Sequence, residues 1–177
     1  MVKKNACDDV IRALPHLPKH YHFIILGTGP DENMLRALAK GLKVEERVHF
    51  LGQIGHTDLP KYLKASDIFI RPSLSEGMGN SFIEAMARRV PVIATQEGGI
   101  SDFLFDPEKN PDKEPTGRAV LIRDPKGIAR ATKLYMSEKE KTLNIVNNAE
   151  KMVREKYDWN LITKDMQEKV FEKLFVK

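Results

Sequence analysis

The sequence predicts an α/β protein built on a doubly wound, Rossmann-like parallel sheet. Short apolar runs alternate along the chain with segments of helical periodicity, and this alternation is typical of repeated strand–helix–strand units. The apolar runs are continuous rather than interleaved with polar residues, which indicates strands buried on both faces of a parallel sheet. No further run of this kind follows Pro125, so extra helices are expected to complete the C-terminal part.

The apolar runs and the helical segments define the expected order of elements. Strands are predicted at 22–26, 48–51, 67–70, 91–94 and 119–122. Helices are predicted at 8–14, 33–42, 59–65, 81–88, 128–136, 138–157 and 161–175, with Trp159 and Asn160 interrupting the last two. A charged segment with three prolines, at 106–116, is predicted to be a loop.

The first predicted helix raises a question about the sheet, because it begins almost at the start of the chain. Parallel strands are joined by crossover helices, so a strand is expected before this helix. The residues before Asp8 show no strand pattern. Either the sheet is incomplete or the chain is a piece of something longer.

Composition narrows the class of protein. The chain has 177 residues, of which 41% are hydrophobic and 31% charged, as in ordinary soluble domains. Its net charge of +4 comes from interleaved acidic and basic residues without a basic block, which argues against nucleic-acid binding. Its single cysteine excludes an internal disulfide, and no apolar run is long enough to span a membrane. A cytoplasmic location is the expectation.

The loops that follow the predicted strands are the expected ligand site, because ligands of doubly wound sheets bind beyond the carboxyl ends of the strands. The first such loop, Gly27-Thr28-Gly29, allows close backbone approach to a ligand. A dinucleotide-binding fingerprint would need a third glycine where Glu32 stands, so a tight turn remains an alternative. The loop at Gly98-Gly99 is either a second cradle for a polar group or a plain connector.

The loop between 72 and 86 is the richest in chemistry. The backbone amides from Gly77 to Ser81 lie at a predicted helix start, which suits a phosphate or diphosphate. The carboxylates of Glu76 and Glu84 suit the hydroxyls of a sugar or ribose. Two alternatives stand beside this interpretation: Ser81 and Glu84 have the spacing of a capping box, and Glu76 has the position of a solvated loop acid.

The order of motifs resembles the C-terminal, donor-binding half of the GT-B glycosyltransferases of the retaining family 4, the group 1 transferases. The resemblance covers nearly the whole chain and includes the segments ILGTGPDENML, RVHFLGQ, YLKASDIFIRPS, EGMGNSFIEAMA, VPVIAT, EGGISD and TGRAVLI. Its centre is the spacing Glu76-x7-Glu84, the E-x7-E motif of these enzymes. The resemblance implies a GT-B fold and glycosyl transfer from a nucleoside diphosphate sugar to an acceptor hydroxyl with retention.

The resemblance also implies a role for each candidate residue. Glu76 would be the catalytic residue and hold hydroxyls of the donor sugar, and Glu84 would hold the ribose. The implied donor-binding residues are otherwise Gly77, Met78, Gly79 and Asn80 for the sugar and diphosphate, Gln53 and Ile54 for the nucleobase, Gly27, Thr28 and Gly29 along the cleft, and Lys4, Gly98 and Gly99.

Three departures from the family pattern stand out. The family's first strand, which ends in Gly-Arg, is absent, so that Lys4 is the one cation of the usual diphosphate pair. In the family's sheet order this strand lies between the strands at 22–26 and 67–70, so the resemblance implies that these two strands move together, pair with another chain or leave the chain unstable. Arg89 stands where the family often has glycine at a helix end, a position that favours left-handed backbone. The acceptor-binding N-terminal half is also absent, so the chain is expected to be inactive alone.

The domain organisation and the partners follow from the resemblance. Residues 1–157 are predicted to form the donor-binding domain, and 158–177 a C-terminal helix that packs on the absent N-terminal domain. The expected partner is a nucleoside diphosphate sugar, with no cofactor, no metal and no nucleic acid; the full enzyme could associate with a membrane surface. The alternatives are another GT-B enzyme, either a nucleotide-sugar epimerase or a sugar phosphorylase, and a non-catalytic nucleotide-binding module.

Overall fold

A computed structural model describes residues 1–172 and confirms the α/β fold class. The helices are α1 (Cys7–Ala13), α2 (Glu32–Gly41), α3 (Leu59–Ala65), α4 (Asn80–Ala87), α5 (Pro125–Ser137), α6 (Lys139–Lys156) and α7 (Trp159–Met166). The strands are β1 (Phe23–Ile25), β2 (Val48–Phe50), β3 (Phe69–Arg71), β4 (Val92–Ala94) and β5 (Arg118–Ala119). A short 3-10 helix, Lys3–Asn5, precedes α1.

The strands form two parallel sheets. One contains β1 and β2, with Ile24 opposite His49, and the other has the order β3–β4–β5, with Ile70 opposite Ile93. Among residues 1–172, β1 and β3 each pair on one edge only. The expectation that the flanking strands move together is therefore wrong for the chain as described.

Helices cover both sheets and join their cores. Helix α1 packs against α2, α5 and β3, while α4 packs against α6. The larger hydrophobic cluster includes Ile11 of α1, Ile25 of β1 and Ile93 of β4. One continuous core therefore underlies both sheets, although no strand pairing connects them in the described part of the chain.

Two predicted elements differ from the structure near the C-terminal part. The fifth strand ends at Ala119, and Leu121 and Ile122 are exposed rather than buried. Trp159 begins α7 instead of interrupting a helix, because the Asp158 carboxylate accepts a hydrogen bond from Asn160 N and caps the helix start.

Helix α7 continues into a π-helical turn, Gln167–Phe171, and neither segment contains a buried residue. Residues 173–177, which complete the predicted helix, lie outside the described residues. The packing of 158–177 on a further domain stays a prediction.

The helix end at Arg89 has the expected left-handed backbone, with φ of 61°. Its guanidinium donates to Glu150 of α6 at 2.6 Å and to Asn147 at 2.8 Å. A non-glycine residue incurs a cost of about 1–2 kcal/mol in this conformation, and the two contacts hold the Arg89 side chain against α6.

Candidate functional site

The predicted ligand loops lie at one edge of the molecule. Because β1 to β5 are parallel within their sheets, the loops that follow β1, β2, β3 and β4 all leave from carboxyl ends of strands. The turn at residues 1–5 lies at the same edge. Met1 donates through its amino group to the carbonyl of Thr28 beyond β1, and the Lys4 carbonyl accepts from Leu74 N beyond β3 at 2.8 Å.

The loop that carries Glu76 is packed backbone to backbone against the loop after β4. Gly99 N donates to the Glu76 carbonyl at 3.3 Å. A Cβ on Gly99 would lie 2.5 Å from the Gly77 carbonyl oxygen, and a Cβ on Gly98, which has φ of +60°, would overlap the Glu76 carbonyl oxygen. Both glycines are therefore required for this approach, and a binding role for Gly98 and Gly99 stays a prediction.

Arg71, the last residue of β3, bonds to the Glu76 side chain and also to the turn at residues 1–5 and to the start of α4. One of its terminal nitrogens donates to the Glu76 carboxylate at 2.5 Å and to the Asn5 side-chain oxygen at 3.1 Å. The other donates to the Ser81 hydroxyl at 3.0 Å. The Glu76 side chain is only 10% exposed, so the description of Glu76 as a solvated loop acid is wrong.

The start of α4 contains no capping box. Gly79, with φ of +67°, occupies the N-cap position, and the helix start has no side-chain cap. The Ser81 hydroxyl is instead a partner of Arg71. The Glu84 carboxylate has no hydrogen bond or ion pair to a side chain or amide of the described residues, and only its main-chain carbonyl accepts, from Arg88. The capping alternative for Glu84 is therefore wrong, and its carboxylate is available to a ligand.

The loops after β1 and β2 meet each other at this edge. Gly27 N donates to the Gly52 carbonyl at 2.6 Å, and Gly29 lies so close to the Met1 backbone that a side chain there would overlap it. Gln53 and Ile54 line a cavity that Gly27 also lines. The Thr28 carbonyl accepts a hydrogen bond from the amino group of Met1.

The structure thus brings the candidate residues into two neighbouring groups along one edge, joined by the turn at residues 1–5. The exposed residues Met78 and Asn80 complete the loop that contains Glu76. Sequence reasoning missed Arg71 as a site residue. The available signal was a charged residue at the carboxyl end of an otherwise apolar strand.

The fold and the edge of carboxylates, amides and glycines define a class: the C-terminal half of a GT-B glycosyltransferase. The family model for "Glycosyl transferases group 1" matches residues 1–152, and the chain belongs to this family. An uncharacterized glycosyltransferase of Methanocaldococcus jannaschii is 32% identical over 158 residues, covering 88% of this chain and 39% of that protein. A lipopolysaccharide core biosynthesis glycosyltransferase of Rhizobium meliloti is 32% identical, over 77% of this chain and 37% of that protein.

Solved structures agree with this assignment of the fold. An Anabaena protein, HepE, crystallised with UDP and glucose, has a TM-score of 0.86 at 22% identity, covering 97% of this chain and 46% of that one. The C-terminal domain of a group 1 glycosyl transferase from Francisella tularensis has a TM-score of 0.76 at 25% identity, covering 90% and 83%. The chain spans about two fifths of the length of the curated relatives it matches. In the described part of the chain, no helix has the length and apolarity needed to span a membrane.

Gly98→Ala is expected to displace the Glu76 loop, because the new Cβ would overlap the Glu76 carbonyl oxygen and the backbone is left-handed there. The expected loss is about 2 kcal/mol or more in the free energy of unfolding, measured by denaturant titration. Gly77→Ala is the matched control, since a Cβ on Gly77 meets nothing within 4 Å. Equal stability of the two variants would contradict the close approach.

Arg71 and Glu76 are expected to be energetically coupled. Arg71→Met should lower the free energy of unfolding by about 2 kcal/mol, because it removes three hydrogen bonds, one of them to a carboxylate, in a mostly enclosed site. In a double-mutant cycle with Glu76→Gln, the coupling is expected to be about 1 kcal/mol. Additive effects would show that the contact at 2.5 Å contributes nothing to stability.

Proposed function

We propose that the chain is the half of a retaining glycosyltransferase that binds a nucleoside diphosphate sugar, and that the full enzyme transfers this sugar to an acceptor hydroxyl. The observation that carries the proposal is the pairing of two carboxylates at one loop and helix start: Glu76 enclosed and held, and Glu84 available. Membership in the group 1 family supports it, as do the UDP and glucose bound by the Anabaena protein of the same fold.

Glu84 is proposed to accept hydrogen bonds from the ribose hydroxyls. Its carboxylate lies in the second turn of α4 and is not used by a side chain or amide of the described residues. A carboxylate with two oxygens can accept from two adjacent hydroxyls at once, which is the arrangement that a ribose presents.

Glu76 is proposed to contact hydroxyls of the donor sugar. Arg71 holds one carboxylate oxygen, Oε2, at 2.5 Å and leaves Oε1 to accept from the sugar. A side chain that is only 10% exposed and is held by Arg71 has little freedom left to lose when the sugar binds. The contact between Glu76 and the sugar would therefore serve mainly to orient the donor.

The diphosphate is proposed to lie across the start of α4. The amides of Gly77, Met78, Gly79 and Asn80 precede or begin this helix, where the helix dipole favours negative charge. Lys4 lies in the turn at residues 1–5. Its main-chain carbonyl accepts a hydrogen bond from Leu74 N, at the start of the loop that contains Glu76. Fixed amides and one lysine would stabilise charge on the departing diphosphate without a metal ion.

The nucleobase is proposed to lie over the edge formed by the loops after β1 and β2. Gln53 and Ile54 line the cavity together with Gly27, and the bond between Gly27 and Gly52 holds the two loops together. Main-chain groups of these loops would read the base. An acceptor-binding domain outside this chain would complete the active site.

Glu84→Gln is expected to weaken binding of both UDP and UDP-glucose by roughly ten- to a hundredfold, the effect of losing a charge-assisted hydrogen bond of about 1.5–3 kcal/mol. Glu76→Gln is expected to weaken binding of UDP-glucose but not of UDP. NMR titration measures both affinities, with Glu155→Gln as the control, since Glu155 is an exposed residue of α6. Unchanged UDP affinity in Glu84→Gln would refute the ribose role.

GDP, ADP and their sugars belong in the same titration, so that the preference of the chain for a base and for a sugar is measured directly. A chain that binds no nucleoside diphosphate is not a donor domain. Product analysis of the full enzyme then separates transfer with retention from epimerisation or phosphorolysis.

Nucleotide binding is expected to be independent of divalent metal. UDP affinity should be the same in EDTA and in Mg²⁺, because Lys4 and the amides before α4 supply the positive charge. Lys4→Ala should lower UDP affinity about tenfold, while Lys3→Ala, the neighbouring residue of the same 3-10 helix, should not. A requirement for Mg²⁺ would contradict the metal-free arrangement.

A further inference from the structure

A groove along helix α5 collects basic side chains from two distant parts of the sequence. We define the basic groove as the cavity of about 310 Å³ that is lined by four basic residues, His16, Lys126, Arg130 and Lys133, and by the apolar residues Ala129 and Leu134. All four basic residues are exposed, and no acidic residue of the described chain lines the groove. Because His16 comes from the 3-10 turn after α1 and the others come from α5, the fold forms a basic cluster that the sequence does not show as a block.

The cations of the basic groove have no acidic partners in the part of the chain that the structure describes. Helix α5 contains neither Asp nor Glu, and none of the ion pairs among residues 1–172 includes Lys126, Arg130 or Lys133. The acids that flank the helix are engaged elsewhere. The Asp124 carboxylate accepts from a main-chain amide of α5, and Glu138 pairs with two other cations.

The spacing of these cations weakens the helix that carries them. Lys126 and Arg130 are four residues apart and Arg130 and Lys133 are three apart, so the three side chains share one face of α5. Like charges at these spacings repel each other. Lys126 also lies in the first turn of α5, where the helix dipole disfavours a cation. Contacts within the fold therefore do not explain this cluster, whereas an anion bound in the groove would relieve both unfavourable interactions.

We propose that the basic groove is a further anion site, which binds a compact ligand that carries two neighbouring phosphate groups. Lys126 and Lys133 are about 10 Å apart along the helix axis, at about 1.5 Å per residue, so a single phosphate group reaches only part of the row. The planar guanidinium of Arg130, in the middle of the row, can donate two parallel hydrogen bonds to one phosphate group. The two flanking lysines act as point charges for the other phosphate oxygens.

The shape of the basic groove favours a compact ligand over a flat charged surface. A second element contributes His16, whose ring can donate a hydrogen bond from an N–H. A bilayer surface would contact the ends of the cationic side chains and leave the cavity beside Ala129 and Leu134 unfilled. This inference does not depend on the proposed function, because none of the candidate donor-binding residues lines the basic groove.

The test is an NMR titration of the chain with inorganic pyrophosphate, and with inorganic phosphate as the comparison. The amide signals of residues 129–133 report on the basic groove, and those of residues 77–80 report separately on the candidate diphosphate site. The double variant Arg130→Gln/Lys133→Gln removes two charges from the groove. The matched control, Lys151→Gln/Lys156→Gln, removes two charges from exposed positions of α6.

The groove variant is expected to weaken pyrophosphate binding at residues 129–133 by about tenfold, which equals about 1.4 kcal/mol, because it removes two exposed ion pairs with the ligand. The control variant should bind as the unchanged chain does, and inorganic phosphate should bind more weakly than pyrophosphate. Binding at residues 77–80 should be the same in the groove variant, so a failure of the donor-site proposal would be seen separately.

The stability of the groove variant is the second readout. Glutamine has a helix propensity close to that of arginine and lysine, and its introduction removes the repulsion between like charges. The groove variant should therefore be at least as stable as the unchanged chain in a denaturant titration at low salt. A loss of stability would show that Arg130 and Lys133 serve the fold itself, and would overturn the proposal.

Three further results would also overturn the proposal. Absence of a pyrophosphate response at residues 129–133, or an equal response in the groove and control variants, would show that the cluster is not a site. Phosphate binding as tight as that of pyrophosphate would show that the ligand needs only one phosphate group. Cosedimentation with vesicles of phosphatidylglycerol, but not of phosphatidylcholine, that is lost in the groove variant and occurs without a pyrophosphate response would identify a membrane surface as the partner.

Discussion

Packing through helix α1 is the interaction on which the rest of the molecule depends. No strand pairing joins β1 to β3 within residues 1–172, so the two sheets are held in one layer by side chains. Helix α1 contacts α2 on one side and α5 and β3 on the other, and Ile11 is completely buried between them. The carboxyl ends of β1 and β3 form a common edge only because this helix layer fixes both sheets at once.

The turn at residues 1–5 adds a second connection at the edge itself. Its two main-chain contacts, from Met1 to Thr28 and from Leu74 to Lys4, bridge the exits of the two sheets. The residues proposed to contact the nucleobase and those proposed to contact the diphosphate are thereby held at a fixed separation. A ligand that spans both groups binds more tightly when this distance is already fixed. Moving and ordering a loop on binding costs free energy and so lowers the affinity.

The strands and the fold class could be predicted from sequence because they depend on local pattern. A short continuous apolar run such as that around Ile93 predicts a buried strand with few competing interpretations. The start of α4 was harder, because Ser81 has the right spacing to Glu84 for a capping box. Gly79 takes the N-cap position in left-handed backbone, and the Ser81 hydroxyl bonds to Arg71, ten residues away. A contact of that range leaves no periodic signal.

The same limitation applies to the glycines and to the sheet. Glycine after a strand predicts a turn, but the overlap of Gly98 with the Glu76 carbonyl depends on two loops that lie about twenty residues apart and meet only in the fold. The end of β5 at Ala119 was missed because Leu121 and Ile122 continue the apolar pattern while the chain turns outward. That residues 1–6 form no strand was visible in sequence, whereas the positions of β1 and β3 depend on how rigidly the helices hold them.

Arg71 connects the sheet to the candidate donor site. Its side chain lines the cavity between β1 and β3, its terminal nitrogens bind Glu76, Asn5 and Ser81, and its Nε is buried without a partner among the described residues. An unpartnered buried donor costs about 1–3 kcal/mol, and the three other contacts offset that cost. Because Arg71 is the last residue of β3, the position of this strand also sets the position of the guanidinium, and with it that of the Glu76 carboxylate. The orientation of the residue proposed to contact the donor sugar is therefore set by the sheet beneath it as well as by its own loop.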